Sequence, residues 1–397
     1  MGLHTARPGW KFRADRVISI NTPMTTKPLP RVEIDPDIRA ARTLPAKVYS
    51  DPAYYALQQD RVFARSWQYA TDSARVKAPG HVLPFTLLDG CLGEPLVITS
   101  DDDANLRCLS NVCTHRGALV VEGEGHLKSL RCRYHGRRFG LDGSFVSMPE
   151  FEDTRNFPTA ADSLPPLPLE KWGPLLFTSL SPALPFDQWI APIDARVSWM
   201  PLDEFRRDPK TSRDYLIGAN WALYCDNYLE EFHIPYVHAG LTEQLDYNAY
   251  YTELFPHGSL QMGIARPGEP VFDLPKDHPD FGKQIAAFYF WLFPNLMLNF
   301  YPWGLSMNVV SPLGPARTRV SFVSYVWNES LRDQGVGADL HKVEMEDEEV
   351  VESVQRGVSS RLYDRGRFSA RREVGTHHFH YLLARYMNGS DDVQEVY

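Results

Sequence analysis

Cysteine is scarce in this sequence: Cys91, Cys108, Cys113, Cys132 and Cys225 are the only five among 397 residues. Five scattered thiols do not make a disulfide framework, so a reducing compartment, the cytoplasm, is the expected location. Excess positive charge is also missing. Lys and Arg number 41 against 50 Asp and Glu, a formal net charge of -9, and phosphate contacts need clustered cations, so nucleic acid is not an expected partner. No long apolar run survives inspection either. The most hydrophobic stretch, residues 285–305, is interrupted by Pro294, Asn295, Asn299 and Pro302, whereas a membrane-spanning helix needs ~20 largely uninterrupted apolar residues. It reads as buried sheet, and no membrane contact is expected. The N-terminal residues lack an apolar stretch of secretory type, and Ala6 stands where myristoylation requires Ser or Thr, so neither signal nor lipid anchor is expected. No GxGxxG opens a helix after a strand, which excludes a nicotinamide or flavin site of that kind.

What is present is enough chain for two domains, 43% of it hydrophobic. Residues 1–50 are rich in Pro and Arg without sustained period and are expected to form an arm packed on the second domain. A helical stretch follows at 52–67. From about His81 to Met148, short strand-like runs at 82–88, 95–99 and 106–112 alternate with Asp-Gly and Asp-Asp-Asp turns, which predicts a compact all-β module within 51–165. The Pro-rich stretch 162–169 reads as its exit linker. Residues 166–397 are expected to form the second domain, with a helical pattern at 219–241, strands at 288–293, 296–301, 307–310 and 320–327, and helices at 341–354 and 377–387. The fold class is α+β, a mostly antiparallel sheet with helices packed on it.

Two constellations carry chemistry. In the first, Cys113 and His115 lie two apart, and after sixteen intervening residues Cys132 and His135 lie three apart. Two pairs of thiol and imidazole on tight loops suit either tetrahedral zinc or a [2Fe-2S] cluster in which two His replace two Cys on one iron. Cys91, Cys108 and Cys225 find no partner in this scheme and read as structural. The second constellation is residues 220–238, with Asp226, Glu230, His233 and His238. On a regular helix an i, i+5 pair points ~140° apart, so the helix must break for both imidazoles to share a metal; Pro235 between them permits a break. Two His and one carboxylate make the facial triad of oxygen-activating iron. The carboxylate must come from elsewhere, and an acidic run such as 345–352 is by itself only a solvated helix face. His377, His378 and His380 read as packing or surface residues, with no acidic or Cys partner near them in sequence.

The CxH…CxxH pattern, with Gly117, Gly136, Phe139 and Asp142-Gly143 around it, resembles the Rieske signature, and residues 220–238 resemble the acid-x3-acid-x2-His-x4-His motif of Rieske non-haem iron oxygenases. The resemblance implies an all-β Rieske [2Fe-2S] domain followed by a helix-grip type catalytic domain. It assigns Cys113 and Cys132 to one iron of the cluster, His115 and His135 to the other, and a mononuclear Fe(2+) to His233, His238 and Asp347. Glu346 is the competing carboxylate. It makes Glu230 a bridge from a catalytic His to a Rieske His of a neighbouring subunit, in a homotrimer, with Asp226 as support behind it. A departure is Arg137, which stands where many relatives carry Trp.

The implied function is a terminal oxygenase taking O2, a small organic substrate, and electrons from a separate NAD(P)H-dependent reductase or ferredoxin. Glu230 and the phrase DNYLEEFHIPYVH further resemble the choline, glycine betaine and carnitine branch. That favours hydroxylation or oxidative dealkylation of a quaternary ammonium compound, with an aromatic cage drawn from Phe288, Tyr289, Trp291, Phe293, Phe300, Tyr301 and Trp303. The alternatives are an aromatic-ring dioxygenase or hydroxylase, a Rieske electron carrier without oxygenase activity, and a zinc-stabilised binding protein.

Overall fold

The computed structural model describes residues 29–238, 249–332, 334–337 and 340–390, so most of the expected arm and residues 239–241 of the expected helix lie outside the described residues. Everything below concerns the compact unit Arg31–Tyr397.

The first module is built from short antiparallel strands. β2 (His81–Leu87), β3 (Glu94–Ser100) and β4 (Leu106–Ser110) form a meander, flanked by β5 (Gly125–His126) and β9 (Pro166–Leu167) in the order β5-β2-β3-β4-β9. The stretch read as an exit linker therefore contributes an edge strand: Pro166 and Leu167 pair with Leu109 and Cys108, a place where proline's missing N–H costs nothing. A second sheet of β6 (Leu130–Arg131), β7 (Arg138–Phe139) and β8 (Phe145–Ser147) carries the Cys132–His135 loop. Val82, Val97, Leu109, Leu130, Phe139 and Leu141 close a core around Cys113 and Cys132.

The second module rests on seven antiparallel strands in the order β12-β18-β17-β16-β15-β14-β13. These are β12 (Arg206–Ile217), β13 (Tyr251–Phe255), β14 (Gly258–Ile264), β15 (Ile285–Leu292), β16 (Leu296–Tyr301), β17 (Gly304–Gly314) and β18 (Arg317–Val326). The apolar stretch 285–305 is thus buried sheet, and among the described residues no helix is long and apolar enough to cross a membrane. Side chains alternate across a strand, and register converts that period into two unlike faces. Leu260, Phe290, Leu298 and Met307 align across four strands and pack with Trp189, Ile190 and Ile193 of α2 (Phe186–Val197). The same core takes Trp172 and Phe177 from β10 (Leu169–Trp172) and β11 (Leu175–Thr178), which sheet with β1 (Gln68–Asp72). On the opposite face Gln261, Tyr289 and Asn299 align. That face is where the chemistry lies.

The helical stretch expected at 52–67 is α1 (Pro52–Arg61) followed by a short 3-10 turn at Phe63–Arg65. Asp51 caps α1 by accepting from the Ala53 N–H. Gln58, fully buried, accepts from the Trp221 indole N–H at 2.8 Å and donates to the Val48 carbonyl at 3.3 Å. It thereby ties α1 to α3 (Trp221–Tyr228), the helix that carries the site. Gln58→Met is expected to strand both partners in an apolar interior. A loss of about 2 kcal/mol or more in chemical denaturation follows, since each orphaned buried group costs ~1–3 kcal/mol.

Candidate metal centres and substrate pocket

The two cysteine loops are near copies of each other. The Gly117 and Gly136 N–H groups donate to the Cys113 and Cys132 carbonyls at 2.9 and 3.0 Å, and both glycines hold φ near +75°, a conformation that side chains resist. The loops present two adjacent thiols on one side and two imidazoles on the other, with His115 Nδ1 and His135 Nδ1 3.1 Å apart. Partial burial and the facing His135 lower the His115 pKa, toward the neutral form that a ligand requires. Burial pushes the Cys113 thiol up, while the backbone N–H groups of His115 and Arg116 donate to its sulfur and work the other way.

Among the described residues the one trio of such donors with ligand atoms mutually within 4.8 Å lies elsewhere. The quartet therefore divides into a thiol pair and an imidazole pair, which suits a two-iron cluster better than a single zinc ion. The remaining cysteines form no disulfide. Burial pushes Cys91 up to about 12 and Cys108 up to about 11, which keeps both as inert thiols.

Arg137 is buried at 2% exposure. Its guanidinium donates to the Asp162 carboxylate at 2.5 Å and lies 5.1 and 5.4 Å from the ring centroids of Phe145 and Phe157. A flat cation thus fills an aromatic slot beside the cluster loop. Asp162 is held below the usual carboxylate range by the Thr159 N–H and by Arg137, and its carbonyl accepts from the Thr114 hydroxyl at 2.8 Å. The pair ties the segment that leads into β9 to the Cys113 loop.

The second centre departs from the expected helix. α3 ends at Tyr228, a turn follows, and α4 (Ile234–Val237) is one short turn with His233 and His238 as its caps. The break lies before His233, and Pro235 sits in the first turn of α4, where its missing N–H is harmless. Pro235 therefore does not break the helix between the histidines. The two rings lie 5.1 Å apart at 78°. His238 Nε2 and His233 Nε2 are 3.0 and 3.5 Å from Asp347 Oδ1, and these three residues are the trio whose donor atoms converge.

Each imidazole gives its other nitrogen to a glutamate: His233 Nδ1 to Glu230 Oε1 at 2.6 Å, His238 Nδ1 to Glu346 Oε2 at 2.7 Å. Asn227 donates to Asp347 Oδ1 at 2.6 Å. Asp347 and Glu346, adjacent on α5 (Leu340–Val358), thus approach opposite nitrogens of one ring. Desolvation opposes the charged His238, but its bonds to Asp347 and Glu346 win and raise it; a metal at Nε2 takes the proton's place.

Asp226 is not brought to this trio. Its carboxylate accepts from the Tyr49 hydroxyl at 2.8 Å and meets His380 Nε2 at 2.7 Å. It supports α3 against the segment before α1 and against α6 (Val374–Met387). His380 has an acidic partner after all, supplied by the fold from 154 residues away. His378, fully buried, bonds the Phe255 carbonyl, and desolvation drives its pKa down to about 3. His377 bonds the Asp35 carbonyl. All three act in packing.

Beside the trio lies a cavity of roughly 120 Å³, lined by Tyr224, Tyr228, Tyr250, Tyr289, Tyr301 and Phe322 together with Gln261 and Glu344. Of the seven aromatic residues proposed for a cage, only Tyr289 and Tyr301 line it. Phe288 and Phe300 face the core, Trp291 and Phe293 pack on Phe379 and Tyr386, and Trp303 stacks behind Tyr301 at 5.3 Å. Sequence reasoning missed Tyr224, Asn227 and Tyr228, which share one face of α3 at i, i+3 and i+4. It also missed Glu344, three residues before Asp347 on α5. Burial pushes the Glu344 carboxyl well above its usual range, against the hydrogen bond from Tyr224.

Asp347→Ala is expected to remove the mononuclear iron while leaving the cluster's visible spectrum intact. Glu346→Gln is expected to retain iron with about 10–100-fold weaker affinity; iron analysis after dialysis against a chelator separates the two outcomes.

Comparison with known proteins agrees with this geometry. Residues 66–158 match the Rieske [2Fe-2S] domain family, and residues 202–389 match the catalytic domain of the ring hydroxylating alpha subunit family. Chloroplastic choline monooxygenase of Arabidopsis thaliana is 34% identical over 378 residues, covering 88% of this chain and 85% of that protein. The carnitine monooxygenase oxygenase subunit of Escherichia coli K12 is 30% identical over 363 residues, covering 87% and 94%. In fold, the quaternary ammonium Rieske monooxygenase CntA in complex with L-carnitine superposes with a TM-score of 0.70 at 24% identity, over 89% of this chain and 97% of that one. Naphthalene 1,2-dioxygenase from Rhodococcus sp. superposes with a TM-score of 0.69 at 19% identity, over 87% and 94%. The chain belongs to the Rieske non-haem iron monooxygenases, alongside the choline and carnitine enzymes, with a [2Fe-2S] cluster and a mononuclear iron as its cofactors.

Proposed function

We propose that this oxygenase hydroxylates or oxidatively dealkylates a small quaternary ammonium compound. One observation carries the reading: the cavity beside the His-His-Asp trio has aromatic walls and, among the described residues, neither Lys nor Arg in its lining. Aromatic faces attract cations, and the cavity falls below the ~300–1,000 Å³ of sites for drug-sized ligands. The names of the choline and carnitine relatives point the same way.

In this reading Cys113, Cys132, His115 and His135 hold the cluster, and His233, His238 and Asp347 hold the iron through Nε2, Nε2 and Oδ1. Iron bound there, with electrons arriving through the cluster, supplies O2 activation for insertion into a substrate C–H bond. The protein's part is positioning. Glu230 and Glu346 accept from the Nδ1–H groups, which fixes each tautomer and leaves Nε2 as the donor. Asn227 orients the Asp347 carboxylate. The tyrosine walls exclude water and hold the substrate's methyl groups near the trio. Electrons come from a separate NAD(P)H-dependent reductase, directly or by a ferredoxin. The five unpaired thiols support a reducing compartment, and we assign the cytoplasm.

We further read the working unit as a homotrimer in which Glu230 also accepts from a Rieske imidazole of the neighbouring subunit. Both Glu230 oxygens meet His233 within one chain, yet each keeps a lone pair for another donor. Exposed apolar groups support such a contact at both of its ends: Tyr134, 60% exposed with its ring centroid 3.7 Å from that of His135, and Tyr236, 81% exposed, between the two triad histidines.

Two measurements test these readings. NADH-coupled oxygen uptake with a reductase is expected with choline-type or carnitine-type compounds; uptake only with aromatic hydrocarbons overturns the ammonium assignment. Co-expressing Cys113→Ser with His233→Ala chains is expected to restore part of the turnover that each variant lacks alone, because one chain's cluster serves another chain's iron. No restoration in mixed oligomers argues against electron transfer between subunits.

A further inference from the structure

The turn that carries Glu230 and His233 is fastened to a second element by the residue next to Glu230. Glu230 and Glu231 are neighbours in the chain, but their carboxylates have different partners. Glu230 accepts from the His233 backbone N–H at 3.1 Å and from its ring at 2.6 Å. Glu231, 4% exposed, accepts instead from the Arg372 guanidinium at 3.0 Å. Arg372 is the one side-chain donor among the described residues to reach that carboxylate, and the second Glu231 oxygen has none.

Arg372 is itself held. Its backbone N–H and that of Glu373 donate to the Ser369 carbonyl at 3.2 and 3.0 Å, and the Glu373 carboxylate accepts from the Ser369 N–H. This closed turn leads into α6, whose first residues press on the same stretch of chain. A Cβ on Gly375 would stand 2.5 Å from the Leu229 carbonyl oxygen, so only glycine allows this approach. The Thr376 hydroxyl donates to the Asp226 carbonyl at 3.4 Å. The start of α6 and the turn before it therefore meet the end of α3 and the turn after it at Asp226, Leu229 and Glu231.

A buried ion pair is a poor source of stability, because desolvating both charges offsets much of their attraction and an apolar pair of similar volume often does as well. Its advantage is direction. A guanidinium N–H aimed at a carboxylate oxygen fixes an orientation, whereas apolar contact is non-directional. Beside the residue that fixes the His233 tautomer, orientation decides whether Nε2 is presented to a metal.

We propose that Arg372, acting through Glu231, is a positioning residue for the mononuclear iron: the pair fixes the turn so that Glu230 stays on His233 Nδ1 and Nε2 faces the trio. This rests on the reading of Glu230 as the group that orients His233. Arg372 then influences iron only by way of Glu230, and that route distinguishes it from a residue that merely fills space.

The test is the Fe(2+) affinity of the cluster-containing protein, measured by competition with a chelator, with the cluster's visible absorbance as internal reference. Arg372→Gln is expected to weaken Fe(2+) binding about tenfold and to leave the cluster spectrum unchanged. The double variant Glu231→Leu/Arg372→Met removes both charges and refills their space with apolar groups. It is expected to match the parent in chemical denaturation and still to bind Fe(2+) about tenfold more weakly. Adding Arg372→Gln to Glu230→Gln is expected to bring no further loss, since both act on one contact. Parent-like affinity in Arg372→Gln or in the double variant overturns the proposal, because the pair then serves packing alone; the double variant decides by itself if Arg372→Gln does not fold. Additive losses from Glu230→Gln and Arg372→Gln overturn it as well, since Arg372 then acts by another route. If Glu230→Gln itself keeps the parent's affinity, the orienting role of Glu230 fails and this proposal falls with it.

Discussion

The bond from each triad imidazole to a glutamate is the interaction on which the catalytic half of this protein depends. A histidine left to itself exchanges its proton between two nitrogens, and only one arrangement presents a bare Nε2 to a metal. Glu230 and Glu346 remove that choice, each accepting from Nδ1 at 2.6–2.7 Å. The local fold serves these two bonds. Ending α3 at Tyr228 gives Glu230 a turn from which it reaches back to the His233 backbone N–H as well as its ring. Packing α5 against α3 brings Glu346 and Asp347 to the two opposite nitrogens of His238. One helix thereby supplies both a carboxylate of the converging trio and the group that orients one of its imidazoles.

The legibility of these features in sequence followed the distance over which each had to be assembled. The four residues assigned to the cluster lie within 23 residues on two local loops, a spacing that by itself points to a metal centre. The strands and most helices were likewise visible as local periods. Asp347, over a hundred residues from the histidines, was reached only by resemblance, because an acidic run looks alike at every position until a helix face is fixed. Adjacent residues on a helix point ~100° apart, so Asp347 and Glu346 occupy different sides of the same imidazole, a distinction with no counterpart in the letters. Pro235 misled for a related reason. Proline ends one helix and starts another equally well, and here it starts α4. Phe288 and Phe300 miss the site by strand parity, facing the core while Tyr289 and Tyr301 beside them line the cavity, and the register that decides which is a property of the sheet.

The two modules also solve burial of charge differently. Arg137 is enclosed with its partner, and the Asp162 carboxylate and flanking aromatic rings meet most of its needs, although its Nε has no partner among the described residues. Such a pair contributes rigidity more than stability, because desolvating both ions offsets much of their attraction. The planar guanidinium fills the slot between the rings beside the cluster loop.

Glu344 has no such enclosure. Its neighbour Tyr224 satisfies one oxygen, and the other has no hydrogen-bond partner among the described residues. Burial answers with the neutral form: the Glu344 carboxyl is held well above its usual range, which avoids the cost of an unpaired buried charge. The tyrosines around it present ring faces that favour a cation, and neighbours hold their hydroxyls: Tyr224 donates to Glu344, and Tyr228 to the Phe290 carbonyl and the Asn299 side chain. The pocket is thus polar at its edges and apolar on its surface, walls that suit a small cation.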